Sequence, residues 1–214
     1  NLNNKLILDL ASRVGIAWTP ESCWVDLYLN GEYAGVYLLT ERNEIHPQRV
    51  NISQTNGFLV SVEPEIRLTE QNYPYVKTSM GTALRIHGGY LEHSEIAGIF
   101  QSVENSILSE TDTDPVSGKT LEQLIDLDSW ARKYLLEELM ANYDAGAVSQ
   151  FFYGSDAGKV FAGPAWDYDG VKTGTEALWN RELNKIQISR EGLTEEELQI
   201  FYTSLFHTMC MPRD

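Results

Sequence analysis

Two acidic stretches of this sequence contain the best candidates for catalytic or metal-binding residues. The tripeptide Asn-Tyr-Asp ends at Asp144, and Trp-Asp-Tyr-Asp at residues 166–169 supplies Asp167 and Asp169. An aromatic run between them favours a hairpin, which would bring Asp144 and Asp167 together. Mg²⁺ takes one or two protein carboxylates together with water and substrate phosphate oxygens. The pair therefore predicts a site for a divalent cation and a phosphate; the alternative is that each aspartate only caps a turn.

Four further charged residues are candidates for contacting a phosphate or for supporting the residue that does. Arg85 lies on the opposite face of a predicted strand from its aliphatic neighbours, so it reaches a nucleotide phosphate if that face lines a cleft. Its alternative is a solvated arginine at a sheet edge. Lys77 is the other candidate for a phosphate contact. Glu41 and Glu63 each end a predicted strand, and the sequence leaves open which of them holds the cationic side chain in place.

The elements that must position these residues begin with β-strands. Asn30-Gly31 is a strong signal for a two-residue hairpin turn, and it separates alternating segments at 24–29 and 33–41. Further strands are predicted at 57–63 and 82–87, with a polar loop at 67–75 between them. These segments predict a mainly antiparallel sheet of about four strands.

Helical patterns flank and follow the strands. Apolar residues at helical spacing predict helices over 2–14 and 94–108. Thr120 begins a capping-box sequence, and Asp128-Ser129 is expected to cap a helix that runs to about Ala141 and delivers Asp144. Another capping box at 194–197 precedes a last amphipathic helix. We therefore expect an α+β fold.

A polar stretch at 109–119, with Pro115 and Gly118, is the best candidate boundary within the chain. It separates a sheet-rich part, residues 1–110, from a mainly helical part, residues 120–214. At 214 residues the chain is long enough to bury roughly 70% of its unfolded surface, so one domain with its own core is expected.

Composition and missing motifs narrow the classes of function. The formal charge of −15 disfavours nucleic acid and anionic membrane surfaces as partners, and no apolar run is long enough for a spanning helix. Cys23 and Cys210 are too few for a disulfide framework. The sequence has no complete P-loop, no HExxH, GxSxG or GxGxxG, and no HRD or DFG tripeptide.

Four segments taken together resemble the CotH family, the spore coat protein H kinases, which are atypical protein-kinase-like enzymes. They are residues 29–41, 125–130, 142–144 and 166–169, in the order in which the family has them. The resemblance implies a kinase-like two-part fold, with a nucleotide-binding part at 1–110 and a catalytic part at 120–214. The N-terminal portion of the family domain is expected to be missing, which makes the chain a fragment.

The resemblance also implies roles for single residues. Asp144 resembles the catalytic aspartate, and Asp167 the metal-binding aspartate, with Asp169 beside it. The second metal ligand, usually an asparagine in kinases, falls on Gln150 or Ser149. Arg85 stands where we align the nucleotide-contacting lysine, and Lys77, Glu63 and Glu41 complete the predicted nucleotide site. An arginine binds phosphate as a planar fork rather than as a compact charge.

The implied activity is transfer of the γ-phosphate of ATP, with Mg²⁺, to Ser or Thr of a protein rich in those residues. The resemblance further implies a secreted, cell-surface or spore-coat location, although no signal peptide is visible in the sequence. Two alternatives are a kinase-like scaffold without activity and a secreted binding or carbohydrate-associated module. A two-carboxylate glycosidase ranks last, because both acidic motifs match the kinase-like family better.

Overall fold

The structure is a computed structural model that describes residues 2–142, 144–154, 158–168, 171 and 194. Contacts within the chain divide it into Asn1–Val171 and Lys172–Asp214. All described residues except Thr194 lie in the first unit. Asp169 and the helix predicted after the capping box at 194–197 lie outside the described residues.

The first unit mixes helices with antiparallel strands, which confirms the α+β class. Its elements, in chain order, are α1 (Leu2–Arg13), β1 (Ser22–Leu29), β2 (Glu32–Thr40), β3 (Phe58–Val62), α2 (Glu65–Glu70), β4 (Tyr75–Lys77), β5 (Ala83–Gly89), α3 (His93–Leu108), α4 (Leu121–Leu124), α5 (Leu127–Leu139), β6 (Gln150–Gly154) and β7 (Val160–Ala162).

Strands β1 and β2 form a two-stranded sheet of their own, so the prediction of a single sheet of about four strands is wrong. Asn30 and Gly31 connect them with φ angles of 53° and 87°, the left-handed conformation that a type I′ turn requires at both central positions. The register shifts once, between Leu27 and Tyr28, which is a bulge. The predicted Asn-Gly hairpin is confirmed.

The other five strands form one antiparallel sheet in the order β4-β5-β3-β6-β7. The central strand, β3, pairs with β5 on one side and with β6 on the other. Ser61 therefore lies opposite Arg85 in β5 and opposite Phe151 in β6. The sheet takes three strands from residues before 110 and two from residues after 120, so the two predicted parts of the chain share it.

The largest core cluster lies between this sheet and helix α3. Phe58, Val60 and Leu84 from the sheet pack with Ile96 and Phe100 from the helix, and all are buried. Burying a side chain of this size stabilises the fold by roughly 1.5–3 kcal/mol. The alternation along β5 that places Leu84 in this core turns Arg85 to the opposite face of the sheet.

Two local predictions are wrong. The stretch 67–75 is not simply a loop: α2 forms because Leu68 is fully buried, and Tyr75 pairs with Arg85 at the start of β4. Asp126, rather than Asp128 or Ser129, is the N-cap of α5, since its carboxylate accepts a hydrogen bond of 2.9 Å from the backbone N–H of Ser129. The remaining predicted elements before residue 142 are present, with small differences at their ends.

Candidate functional site

A polar cleft of about 200 Å³ opens where the face of the five-stranded sheet opposite α3 meets the segments after β2 and β7. Three arginines and two carboxylates line it. In a chain with a net charge of −15, this concentration of positive charge indicates a site for an anion. The described lining residues are Arg42, Asn43, Glu63, Arg67, Arg85, His87, Ser149, Phe151, Trp166 and Asp167.

Asp167, the predicted metal ligand, lies in this cleft with an exposed side chain. Its carboxylate accepts a hydrogen bond of 2.9 Å from the hydroxyl of Ser149. Both residues have left-handed backbone, with φ of 62° at Asp167 and 54° at Ser149. Non-glycine residues in that region cost on the order of 1–3 kcal/mol and are frequent at functional sites. The pair is therefore held in an unfavourable conformation by its surroundings.

Asp144, the predicted catalytic aspartate, lies in the turn between α5 and β6 and is half-buried. Its backbone N–H donates to the side-chain oxygen of Asn142 at 3.3 Å, and its carbonyl accepts from Ala147 at 3.0 Å and Val148 at 3.2 Å. The backbone at Asp144 is thus fixed by three hydrogen bonds. The described lining of the cleft includes Asp167 but not Asp144, so the pairing of the two acids stays a prediction.

Arg85 lines the cleft. The sequence-based prediction that Arg85 contacts a phosphate required this position. Its guanidinium carbon sits 3.5 Å from the centre of the Tyr73 ring, a cation–π contact. Its Nε atom is buried and has no hydrogen-bond partner. Buried polar atoms are nearly always paired. This one is therefore a candidate donor for a bound ligand.

Glu63 also lies in the cleft and is 7% exposed. It pairs with Arg67 at 3.2 Å and accepts a hydrogen bond of 3.2 Å from the Ser61 hydroxyl. The cation that Glu63 holds in this structure is thus Arg67, a residue that the sequence did not point to.

His87 completes the chain of contacts beneath Glu63. Its Nε2 atom is 2.9 Å from the hydroxyl oxygen of Ser61. The hydroxyl proton of Ser61 is donated to the Glu63 carboxylate, so it is not available to His87. His87 must then donate from Nε2 to Ser61. Burial, and secondarily the positive charge of Arg85, lowers the pKa of His87 to about 4. The imidazole is therefore neutral at pH 7 and adds no charge to the cleft.

Two other predicted site residues, Lys77 and Glu41, are engaged elsewhere. Lys77, on the edge strand β4, forms an exposed ion pair with Glu65, and this contact raises the pKa of Lys77. Glu41 pairs with Arg49 at 2.8 Å and lines a different cavity, of about 420 Å³, at the base of the hairpin. Neither residue is part of the described lining of the cleft, and their predicted role with nucleotide stays untested.

Gln150 is buried, and its amide is engaged at both ends. The oxygen accepts from the Lys133 ammonium group at 2.7 Å, and the nitrogen donates to the carbonyl of Val148 at 3.2 Å. Of the two positions that the sequence offered for a second metal ligand, Ser149 is the one that contacts Asp167.

Sequence reasoning missed three charged or polar residues of the cleft: Arg42, Asn43 and Arg67. Both polar atoms of the Asn43 side chain are buried without a partner, which marks the amide as a second candidate ligand contact. Arg42 and Asn43 directly follow the Glu41 that ends the recognised segment 29–41. Extending that segment by two residues would have found them. Arg67 carried no such signal, because it falls in the stretch that was interpreted as a loop.

The residues of the cleft fit a cation that is bound jointly with a phosphate. Within the described residues, no group of three or more His, Cys, Asp or Glu side chains is placed to hold a metal. Mg²⁺ needs fewer protein ligands than that, because substrate phosphates and water complete its octahedral shell. Asp167 supplies a carboxylate for such a cation, and the three arginines supply hydrogen-bond donors for the phosphate.

A comparison with known protein families gives a match over nearly the whole chain. The model of the CotH kinase protein family matches residues 1–207 of the 214-residue chain. Comparison with curated proteins gives no match. Among the described helices, none is both long and apolar enough to cross a bilayer. Since the family match covers nearly the whole sequence, the chain belongs to the CotH kinase family.

Proposed function

We propose that this chain transfers the γ-phosphate of ATP to a Ser or Thr hydroxyl of a protein, with the assistance of Mg²⁺. Membership of the CotH kinase family supports a kinase-like protein. The structural observation that carries the proposal is the arginine-rich cleft, in which Asp167 and Arg85 line one cavity.

In this proposal Arg85 and Arg67 bind the phosphate chain from the side of the sheet. Phosphoryl transfer depends mainly on positioning and on neutralising charge at the transferred group. Arg85 has an unpaired donor, Nε, and the Arg67 side chain is half exposed and anchored by Glu63. Together they provide planar forks that match phosphate oxygens.

Asp167 faces the same cavity with a carboxylate that Ser149 orients, so it is the residue that would hold Mg²⁺, with Asp169 as the second candidate. When bound, the metal supplies charge neutralisation on the phosphate oxygens. Asp144 is proposed to orient the incoming hydroxyl and to accept its proton. The new P–O bond then forms as the bond to ADP breaks, and the proton passes from Asp144 to solvent.

We further propose that the acceptor is a Ser- or Thr-rich protein of the spore coat or of another secreted or cell-surface layer. The family is linked to the spore coat, and the acidic chain is unsuited to nucleic acid.

The test is transfer of γ-labelled phosphate from Mg²⁺-ATP to a Ser-rich acceptor or to the chain itself. Asp144→Ala should abolish labelling, because it removes the group that orients the hydroxyl. Asp112→Ala, in the exposed turn after α3, is the matched control and should leave labelling unchanged. Labelling retained in Asp144→Ala would place the chemistry elsewhere. Nucleotide binding without any labelling in the wild type would instead support an inactive scaffold or a binding module.

A further inference from the structure

Five polar side chains form a buried network next to the residues of the candidate site. Lys133, Glu137, Asn142, Gln150 and Tyr168 are each at most 7% exposed. They come from helix α5, the residue two positions before Asp144, the start of β6 and the segment after β7. Burying two opposite charges in such a place has a large desolvation cost unless the groups are fully hydrogen-bonded.

The carboxylate of Glu137 is the centre of the network. One of its oxygens accepts from the Lys133 ammonium group and, at 3.0 Å, from the hydroxyl of Tyr168. Its other oxygen accepts from the Asn142 amide at 2.6 Å. Lys133 also donates to Gln150 at 2.7 Å. The hydrogen bonds from Lys133 and Glu137 thus reach three different segments of the chain, at Asn142, Gln150 and Tyr168.

Two of those segments carry the acids of the proposed reaction. The Asn142 side chain donates to Glu137 with its nitrogen, while its oxygen accepts the backbone N–H of Asp144 at 3.3 Å. Tyr168 directly follows Asp167, and its ring is fully buried. A shift of Glu137 would therefore move the backbone at both acids.

The third segment carries the hydroxyl that orients Asp167. Gln150 directly follows Ser149, whose hydroxyl donates to the Asp167 carboxylate. Lys133 holds Gln150, so the network also sets the start of β6. The three segments meet at the single Lys133–Glu137 pair.

We infer that Lys133 and Glu137 are positioning residues that fix the Asp144 turn and the Ser149–Asp167 pair relative to each other. This inference rests on the proposed function for its effect on turnover, but its effect on geometry is independent of it. A buried ion pair can often be replaced by apolar side chains of similar volume without loss of stability. Stability alone therefore gives no reason for the pair, whereas a requirement for placement does.

The experiment compares the 214-residue chain with its double variant Lys133→Met/Glu137→Leu. The thermal midpoint should fall, because the buried side chains of Asn142, Gln150 and Tyr168 each lose a hydrogen-bond partner, but the chain should still fold, since no unpaired charge remains. The KM for Mg²⁺-ATP should stay within about threefold, because the arginines of the cleft are untouched. The kcat for phosphoryl transfer should fall by on the order of 100-fold, the effect of misplacing a reacting group by about 1 Å.

A second readout does not depend on activity. Hydrogen–deuterium exchange at the backbone amide of Asp144 should become faster in the double variant, because this amide loses an acceptor, the Asn142 side chain, that Glu137 had oriented. The control Lys5→Met/Asp9→Leu replaces a Lys–carboxylate ion pair of the same spacing on the surface of α1. It should change neither kcat nor exchange at that amide.

Tyr168→Phe covers the case in which the double variant does not fold. It removes only the hydroxyl that donates to Glu137, and it should lower kcat about tenfold with KM unchanged and speed the exchange of Asp144. Unchanged kcat and unchanged exchange in the variant that folds would overturn the inference. If the wild type transfers no phosphate, the proposed function fails, and the exchange measurement alone then decides whether the network positions the two acids.

Discussion

The β1–β2 hairpin and the five-stranded sheet are both antiparallel, but they are stabilised by different means. In the hairpin the large apolar side chains are mostly exposed: Tyr28 is 63% and Leu39 61% accessible. In the sheet, β3 and β6 are buried along nearly their whole length. The hairpin is thus defined by its own turn and cross-strand pairs, whereas the sheet depends on contacts between distant parts of the sequence.

This difference explains where the candidate site lies. A cleft that brings a residue at position 43 next to residues at 85 and 167 requires a sheet that joins those segments. β3 provides this, since it pairs with β5 on one side and with β6 on the other. The site is therefore as stable as the long-range pairing of the sheet, and independent of the distal part of the hairpin.

The largest expected effect tests this contrast with the same substitution in both regions. Leu84→Ala in β5 removes a fully buried side chain from the main core and should lower the free energy of unfolding by about 2–5 kcal/mol. Leu39→Ala in β2 should change it by less than about 0.5 kcal/mol, because that side chain is mostly exposed. Urea unfolding of the two variants measures both values.

Equal losses in the two variants would contradict the contrast. They would mean that the exposed face of the hairpin is covered in solution and contributes to stability as the sheet does.

The hairpin and the sheet also differ in how far the sequence predicted them. Asn30-Gly31 predicts its turn locally, because both positions need left-handed backbone and the dipeptide supplies it. The 3.6-residue spacing in α1 and α3 is likewise local information, and both helices were predicted nearly to the residue. Strand β4 was missed because three residues at a sheet edge carry no period, and only pairing with β5 makes them a strand.

The candidate site shows the same difference between what the local sequence predicts and what depends on tertiary contacts. Arg85 and Asp167 were predicted from their residue types, and the structure places both in the cleft. Arg67 and Asn43 were not predicted, because what distinguishes them is the ion pair with Glu63 and an unpaired buried amide, and both depend on tertiary contacts. Gln150 was chosen by its distance in sequence from Asp144, which gives no information about the Lys133 beside it.

The next effect concerns ligand binding at the cleft. Mg²⁺-ATP at 100 times its Kd should stabilise the wild type by about 2.7 kcal/mol, and Asp167→Asn should abolish this gain while the unliganded protein still folds. Asp26→Asn, the same change in the hairpin, should preserve it. Thermal shifts with Mg²⁺-ATP, and with ATP plus a chelator, measure the difference.

A full Mg²⁺-dependent shift in Asp167→Asn would exclude metal binding by that carboxylate. A loss of the shift in Asp26→Asn would show that the hairpin takes part in nucleotide binding, and the distinction between the two regions would then not hold for the ligand.

The smallest effect is a pH dependence of stability that His87 gives to the sheet. The hairpin has no such dependence on a histidine, because its strands contain none. The pKa of His87 is lowered from 6.5 to about 4, chiefly by burial, so the unfolded chain binds a proton between these values and the folded chain does not. Stability from this residue is therefore complete above pH 6.5 and falls as the pH drops towards 4, by about 1–3 kcal/mol.

His87→Gln keeps a donor for Ser61 and should remove this part of the slope, whereas His93→Gln, at the exposed start of α3, should not. Urea unfolding of the three proteins at pH 7, 6, 5 and 4 isolates the contribution, because the carboxylates common to all three cancel in the differences. Parallel curves for the wild type and His87→Gln would mean that His87 is protonated as readily in the folded sheet as in the unfolded chain.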